Sequence, residues 1–543
     1  MRPLLIALFS LILFSCAENE QAVTILNADI ITMDSQKPTA QAVAIIDNKI
    51  AAVGSLSSLN MEYPHAKQID LKNKTILPGV LDSHTHIVYM GLEKIKVSLI
   101  GVLTVEEMIK RLKAYYPKPE PGQWLLGKGW DEAIWASNGY PTRQLLDQAF
   151  PDNPVHLDAL HGFASFFNEK AFEVASIDKS INNDLFLRDA NGELTGTVLD
   201  KGQDLVKTHI PPPTIEQLKT AILAGAHIMA KSGVTSIHEA NMTRDTMNAM
   251  AELRAEGKLP IRIYGMIDAA DKELTDQWLA RGPLIDQDNF YTVKSIKYFY
   301  DGSLGSRTAL MRENYSDDPL ALAKLKKPDQ AAFEKLVGKA ADRGFQMIVH
   351  AIGDEGNDQV LDSFARVLDK HPGLDHRFRI EHAQVILPSF YKKAEKYNII
   401  ASMQPAHALD DSPWAEARLG PKRINYAYAW RSMLDHNIKL IFNSDLPAAI
   451  WRIQQIMYYA VNRSPLGGTP WYPEHTISIA DTLKAMTITG AYAGFMEDKI
   501  GSIEVGKLAD FTIFDQNPMT IEASRLNDIN VVEVWVDGKK LEL

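Results

Sequence analysis

Eight times between residues 79 and 442, a short apolar run rich in β-formers gives way to a longer stretch of mixed polarity. The runs lie at 79–82, 234–237, 261–266, 295–299, 346–349, 378–380, 399–403 and 439–442. Each is too short for a helix and is dominated by apolar residues, many of them β-branched or aromatic, so each predicts a buried strand. The stretches between them predict helices, which is the alternation of a parallel α/β fold. Eight such strands close most simply into a (β/α)8 TIM barrel.

Two β-rich segments flank this middle. Before it come runs at 22–26, 30–33, 42–46 and 50–54, the last two separated by the turn pair Asp47-Asn48. After it come 510–514 and 531–536, the latter ending on Asp537-Gly538, a strong hairpin signal. Neither segment could bury a core alone, so the two predict one small β-sandwich built from 17–80 and 498–543, bracketing a barrel over 81–497. The stretch from about 98 to 215 fits no simple βα unit. It carries Trp124, Trp130 and Trp135, ends at Pro211-Pro212-Pro213, and reads as an insertion after the first barrel strand, placed over the barrel mouth.

The first residues follow a different pattern. Met1-Arg2-Pro3 is a short basic start, and residues 4–14 carry no charge. That stretch is well short of the roughly 20 apolar residues that a membrane-spanning helix needs, and matches a signal-peptide core. Leu13-Phe14-Ser15-Cys16 resembles a bacterial lipobox, which makes 1–16 a lipoprotein signal peptide and Cys16 the lipidated residue. A lipid on Cys16 would tether the protein to a membrane of the bacterial cell envelope, on the periplasmic side.

Composition narrows the picture. The 543-residue chain has 57 Lys+Arg against 68 Asp+Glu, a net charge of −11, and no long basic run. This excludes nucleic acid as a natural partner and points to a small-molecule substrate. Cys16 is the single cysteine, so no intramolecular disulfide can form. The length leaves a homodimer open.

Chemistry-bearing residues gather at the predicted strand ends. His84 and His86 follow the first strand, and their i, i+2 spacing turns both imidazoles to one side. His350 ends the fifth strand, His382 the sixth and Asp445 the eighth, while Lys297 lies inside the fourth. Barrel enzymes work at the C-terminal ends of their strands. Four histidines and a carboxylate there suit a borderline divalent cation such as Zn²⁺. A lysine within an apolar strand is unusual unless its amine is neutralised or paired. His238 after the second strand, Arg307 in the Gly-rich loop after Lys297, Gln404 and His407 after the seventh strand, and Trp130 and His161 in the insertion are candidates to touch substrate.

Residues 77–86, Leu-Pro-Gly-Val-Leu-Asp-Ser-His-Thr-His, resemble the opening signature of the amidohydrolase superfamily, and 501–510 resemble its closing signature. The stretches 189–196, 297–309 and 443–447 resemble the amidohydrolase-3 subgroup, which includes N-substituted formamide deformylase. The resemblance implies two divalent metal ions and a CO2-derived carbamate on Lys297 that bridges them. One metal would sit on His84, His86, the carbamate and Asp445; the other on the carbamate, His350 and His382. It further implies a metal-bound hydroxide as nucleophile and Asp445 as the catalytic proton carrier. The expected activity is hydrolysis of carbon–nitrogen, non-peptide bonds in a small amide, N-formyl or cyclic amide substrate. An esterase or carbamate hydrolase of the same superfamily, and a catalytically inactive solute-binding lipoprotein, are the alternatives.

Overall fold

A computed structural model describes residues 22–135, 139–325, 328–449 and 451–543; the expected signal segment, with Cys16, lies outside the described residues. All eight expected runs form strands: β1 (Val80–Thr85), β2 (Val234–Met242), β3 (Arg262–Asp268), β4 (Tyr291–Phe299), β5 (Gln346–Ala351), β6 (Arg379–His382), β7 (Ile400–Met403) and β8 (Leu440–Phe442). They pair in chain order, every neighbour parallel. β8 meets β1 through a seam of individual bonds. Ser83 Oγ donates to the Phe442 carbonyl (3.1 Å), Asp445 N to the His84 carbonyl (3.0 Å) and His86 N to the Leu446 carbonyl (2.8 Å). The strands are buried on both faces because helices cover the outside, which is why they read as apolar runs.

Helix Ile87–Lys94 shows how tightly that outer layer packs. It lies against helix Ile215–Lys231, which starts on a Thr214/Gln217 capping box. A Cβ on Gly91 would stand 1.8 Å from the Ala221 carbonyl oxygen, and one on Gly225 2.4 Å from that of Ile87. Only glycine allows the two backbones to come so close.

The two terminal segments pair, as their patterns require, within one hydrogen-bonded sheet. Its strands run in the order Lys539–Lys540, Val531–Val536, Phe511–Phe514, Lys67–Pro78, Val23–Ile31, Thr39–Ile46, Lys49–Gly54. The runs at 22–26 and 30–33 belong largely to one strand, Val23–Ile31, whose register shifts between Asn27 and Ile30. Lys67–Pro78 is the piece the pattern hides: its first half alternates with charges, yet it joins the two terminal segments, parallel to Val23–Ile31 and antiparallel to Phe511–Phe514. The sheet is fixed to the N-terminal end of the barrel by Arg262, the first residue of β3. Its guanidinium donates to both Asp510 oxygens (2.6 and 2.9 Å) and to Asp537 (3.1 Å).

Within the stretch from about 98 to 215 a separate six-stranded sheet forms: Phe186–Arg188, Leu194–Leu199, Ala164–Phe167, Val155–Ala159, Leu125–Trp130, Val97–Ser98. It has apolar clusters of its own, one built around Trp130, Trp135 and Phe166. Among the described residues, no helix is long and apolar enough to cross a membrane.

Candidate metal centre

The C-terminal ends of β1, β4, β5, β6 and β8 converge on a cavity of about 360 Å³ lined by His84, His86, Lys297, His350, His382 and Asp445. Asp445 Oδ1 lies 3.3 Å from His86 Nε2 and 3.5 Å from His84 Nε2. Lys297 Nζ is 3.1 Å from His84 Nε2, and the rings of His350 and His382 are 4.5 Å apart. Two side chains reach the cavity through unusual backbone. His382 has φ +74° and Asp445 φ +54°. Left-handed conformations cost non-glycine residues about 1–3 kcal/mol and collect at functional sites. At His382 the twist has a visible effect. Strand alternation would send consecutive side chains to opposite faces, but Glu381 and His382 both contact the site.

A chain of hydrogen bonds under the cavity fixes which nitrogens face it. His84 Nδ1 is bonded to Glu381, which also accepts from Ser402 Oγ (2.8 Å). Asn443 Nδ2 donates to Ser402 Oγ (2.9 Å), Gln404 Nε2 to Asn443 Oδ1 (2.7 Å), and His382 Nδ1 to Gln404 Oε1 (3.0 Å). Both imidazoles therefore carry their proton on Nδ1 and turn a lone pair at Nε2 into the cavity. His350 bonds the Gly302 carbonyl through Nε2 (3.0 Å), which leaves Nδ1 as its lone-pair nitrogen. His86 Nδ1 is buried with no hydrogen-bond partner among the described residues.

Burial keeps these donors uncharged. It lowers the His84 pKa to about 4 and that of His350 to about 3, helped in both by the Lys297 amine; burial and His350 take His382 well below its ordinary value. Lys297 itself is fully buried and brought down to about 8. Burial would raise Asp445, but His84, His86 and His382 outweigh it and hold the carboxyl well below its ordinary range. Glu381 resists burial in the same way through Arg379, paired at 2.8 Å, and His84. Uncharged imidazoles around an ionised carboxylate are the donor set of a divalent cation. Two trios offer ligand atoms within 4.8 Å of one another: His84, His86 and Asp445, and His382, His407 and Asp445. The residues present fit a metal centre.

The profile of the amidohydrolase family matches residues 67–541. The chain belongs to the amidohydrolase family. It is a metal-dependent hydrolase that acts on carbon–nitrogen bonds. This amidohydrolase is 30% identical to Protein LONG AFTER FAR-RED 3 of Arabidopsis thaliana, over 95% of this chain and 90% of that protein. It is 25% identical to an N-substituted formamide deformylase of Arthrobacter pascens, over 95% and 97%. A solved metal-dependent hydrolase from Pyrococcus furiosus superposes with a TM-score of 0.77 at 26% identity, covering 92% of this chain and 100% of the other.

Of the residues expected to touch substrate in this amidohydrolase, only His407 lines the cavity among the described residues. Gln404 lies behind His382 and orients it. His238 is buried lower in the barrel, where Nδ1 accepts from Arg379 (2.8 Å) and the ring packs on Tyr264, so it is part of the scaffold. Arg307 is not among the residues that line the cavity and pairs with Asp317 through two bonds, 3.1 and 2.7 Å. Trp130 is fully buried in the insertion's core, where Nε1 bonds the Leu157 carbonyl (2.8 Å), and His161 contacts Glu132 at 3.3 Å. The cavity lining includes no described residue from the insertion. Sequence reasoning missed Glu381, Ser402 and Asn443. The adjacency of Glu381 to His382 was a signal, although alternation argues against both facing the site.

Proposed function

We propose that this amidohydrolase cleaves the C–N bond of a small non-peptide amide, with an N-formyl or N-acyl amine or a cyclic amide as substrate and zinc as the metal. The observation that carries this reading is the meeting of His86 and the uncharged imidazoles of His84, His350 and His382 with ionised Asp445 in one cavity large enough for a small molecule. The name of the Arthrobacter relative supports the N-formyl class.

When bound, a pair of divalent cations lowers the pKa of water toward about 7 and polarises the scissile carbonyl. The chain's own groups do the rest. His84 and His382 are held in one tautomer by Glu381 and Gln404, so their donor nitrogens do not need to reorganise. Lys297, buried and easily deprotonated, reacts as the free amine with CO2. Nζ bonds the carbon, a proton leaves, and the carbamate adds an anionic oxygen donor. Asp445 accepts the proton of the attacking water and returns it to the departing nitrogen, which cannot leave as an amide anion. Phe299 and Ser303 on the β4 side and Gln384 after β6 form the wall that substrate meets. The signal-like start and the lipobox-like Leu13-Phe14-Ser15-Cys16 support a location at the cell envelope, where scavenged molecules would be the substrates; radiolabelled fatty acid incorporated at Cys16 tests that location.

The decisive test of function is amine release from a panel of N-formyl and N-acyl amines by zinc-loaded protein, with the chelated protein as control. Turnover of N-formyl amines, abolished by chelation, is expected. Hydrolysis of esters with no amide turned over would overturn the C–N substrate class.

A further inference from the structure

A second cavity, of about 220 Å³, shares no lining residue with the metal centre. It forms where β2 loses its register against β3, between Glu239 and Met242. Its apolar walls are Val88, Tyr89 and Leu92 from helix Ile87–Lys94, Leu218 from helix Ile215–Lys231, and Pro212 and Pro213 at the end of the insertion. The two cavities are neighbours through one contact: the Tyr89 ring centroid lies 5.7 Å from that of His86.

One atom of this lining has no partner. Asn241 Oδ1 is buried and accepts no hydrogen bond among the described residues, on a residue held at φ +56°. Its polar neighbours are satisfied by other groups. Glu239 accepts from Ile87 N (2.8 Å), Val88 N (3.2 Å) and Thr85 Oγ1 (3.0 Å), and the hydroxyls of Thr243 and Thr246 bond each other at 3.0 Å. Buried acceptors are nearly always bonded, so Asn241 calls for a donor that the chain does not supply. A trapped water typically makes about three hydrogen bonds, more than one free buried acceptor offers.

Charge and size narrow the ligand. The lining carries the carboxyls of Glu239 and Asp245 and, among the described residues, no Lys, Arg or His. A ligand carboxylate would meet no cation there, whereas an N–H donor meets acceptors. An apolar cavity of about 150 Å³ holds benzene, so this one has room for a ring with a short polar arm.

We propose that this cavity is a binding site for a small, largely apolar amine, whose N–H donates to Asn241 Oδ1 and whose body packs between Leu92 and Leu218. The site is assigned from its own lining and does not depend on what the metal centre hydrolyses.

Benzylamine is the probe, and benzoate, of similar size and opposite charge, is its control. Crystals of zinc-loaded native protein soaked in benzylamine should show the ring between Leu92 and Leu218, with the nitrogen within hydrogen-bond distance of Asn241 Oδ1. Calorimetric titration should give saturable binding at least tenfold tighter for benzylamine than for benzoate. Leu92→Trp, which fills the cavity from a half-buried position, should weaken benzylamine at least tenfold. Asn241→Gly removes the acceptor at a φ that glycine takes freely and should weaken it at least fivefold. Neither position belongs to the metal cavity, so native zinc content shows that each variant is folded. Benzylamine seen at the metal alone, benzoate bound as tightly, or native affinity in both variants overturns the proposal. The soaked native crystal decides the matter even where a variant fails to fold.

Discussion

Arg262 at the N-terminal end of the barrel and Asp445 at the C-terminal end are both buried ionic groups, and they are treated in opposite ways. Arg262 meets Asp510 through two bonds of 2.6 and 2.9 Å and adds Asp537 at 3.1 Å, so the cation is matched by carboxylates. Asp445 meets imidazoles at 3.3–3.8 Å, and burial keeps His84 and His382 uncharged. The lower end satisfies its charges internally and holds the terminal sheet to the barrel. The upper end leaves a carboxylate and several lone pairs short of partners, which is the condition for binding a cation and doing chemistry. One barrel thus separates stability from reactivity along its axis.

Four substitutions break or sharpen this contrast, in descending order of effect. Asp445→Asn removes the proposed proton carrier and metal ligand, and kcat should fall about 1,000-fold while the circular dichroism spectrum stays native; activity within tenfold of native would contradict that role. Asp510→Ala leaves the Arg262 guanidinium with Asp537 as its remaining carboxylate partner, and breaking such a buried pair costs about 3–5 kcal/mol. Urea unfolding should report that loss, and native stability in the variant would show the lower end to be less closed than described. Glu381→Gln keeps the shape but weakens the hold on His84, and zinc affinity should drop about 10- to 100-fold, read by competition with a chelating dye. Arg307→Ala, at a pair outside the cavity lining, should leave kcat/KM within about twofold; a larger fall in steady-state kinetics would place Arg307 at the substrate after all.

The barrel was legible because its strands are apolar on both faces, and the metal-site histidines because they stand where those strands end. His84, His86, His350, His382 and Asp445 share one cavity for that reason. The hydrogen-bond chain beneath them was not legible. Ser402, Gln404 and Asn443 come from β7 and the end of β8, and nothing local in their surroundings marks a bond to a neighbouring strand. Trp130 and His161 misled for a different reason. They belong to an insertion with its own sheet and core, to which the strand-end rule of the barrel does not apply. Lys67–Pro78 was hidden by its charges, although it carries the contact between the two ends of the chain.

The seam between β8 and β1 has a further consequence for assembly. The bonds that shut the barrel, Asp445 N to the His84 carbonyl and His86 N to the Leu446 carbonyl, involve the same residues that hold the reaction centre together. A chain that lacks residues 443–446 has neither a closed barrel nor a complete ligand set. Closing the barrel and completing the ligand set are therefore one structural event, because the same seam carries both.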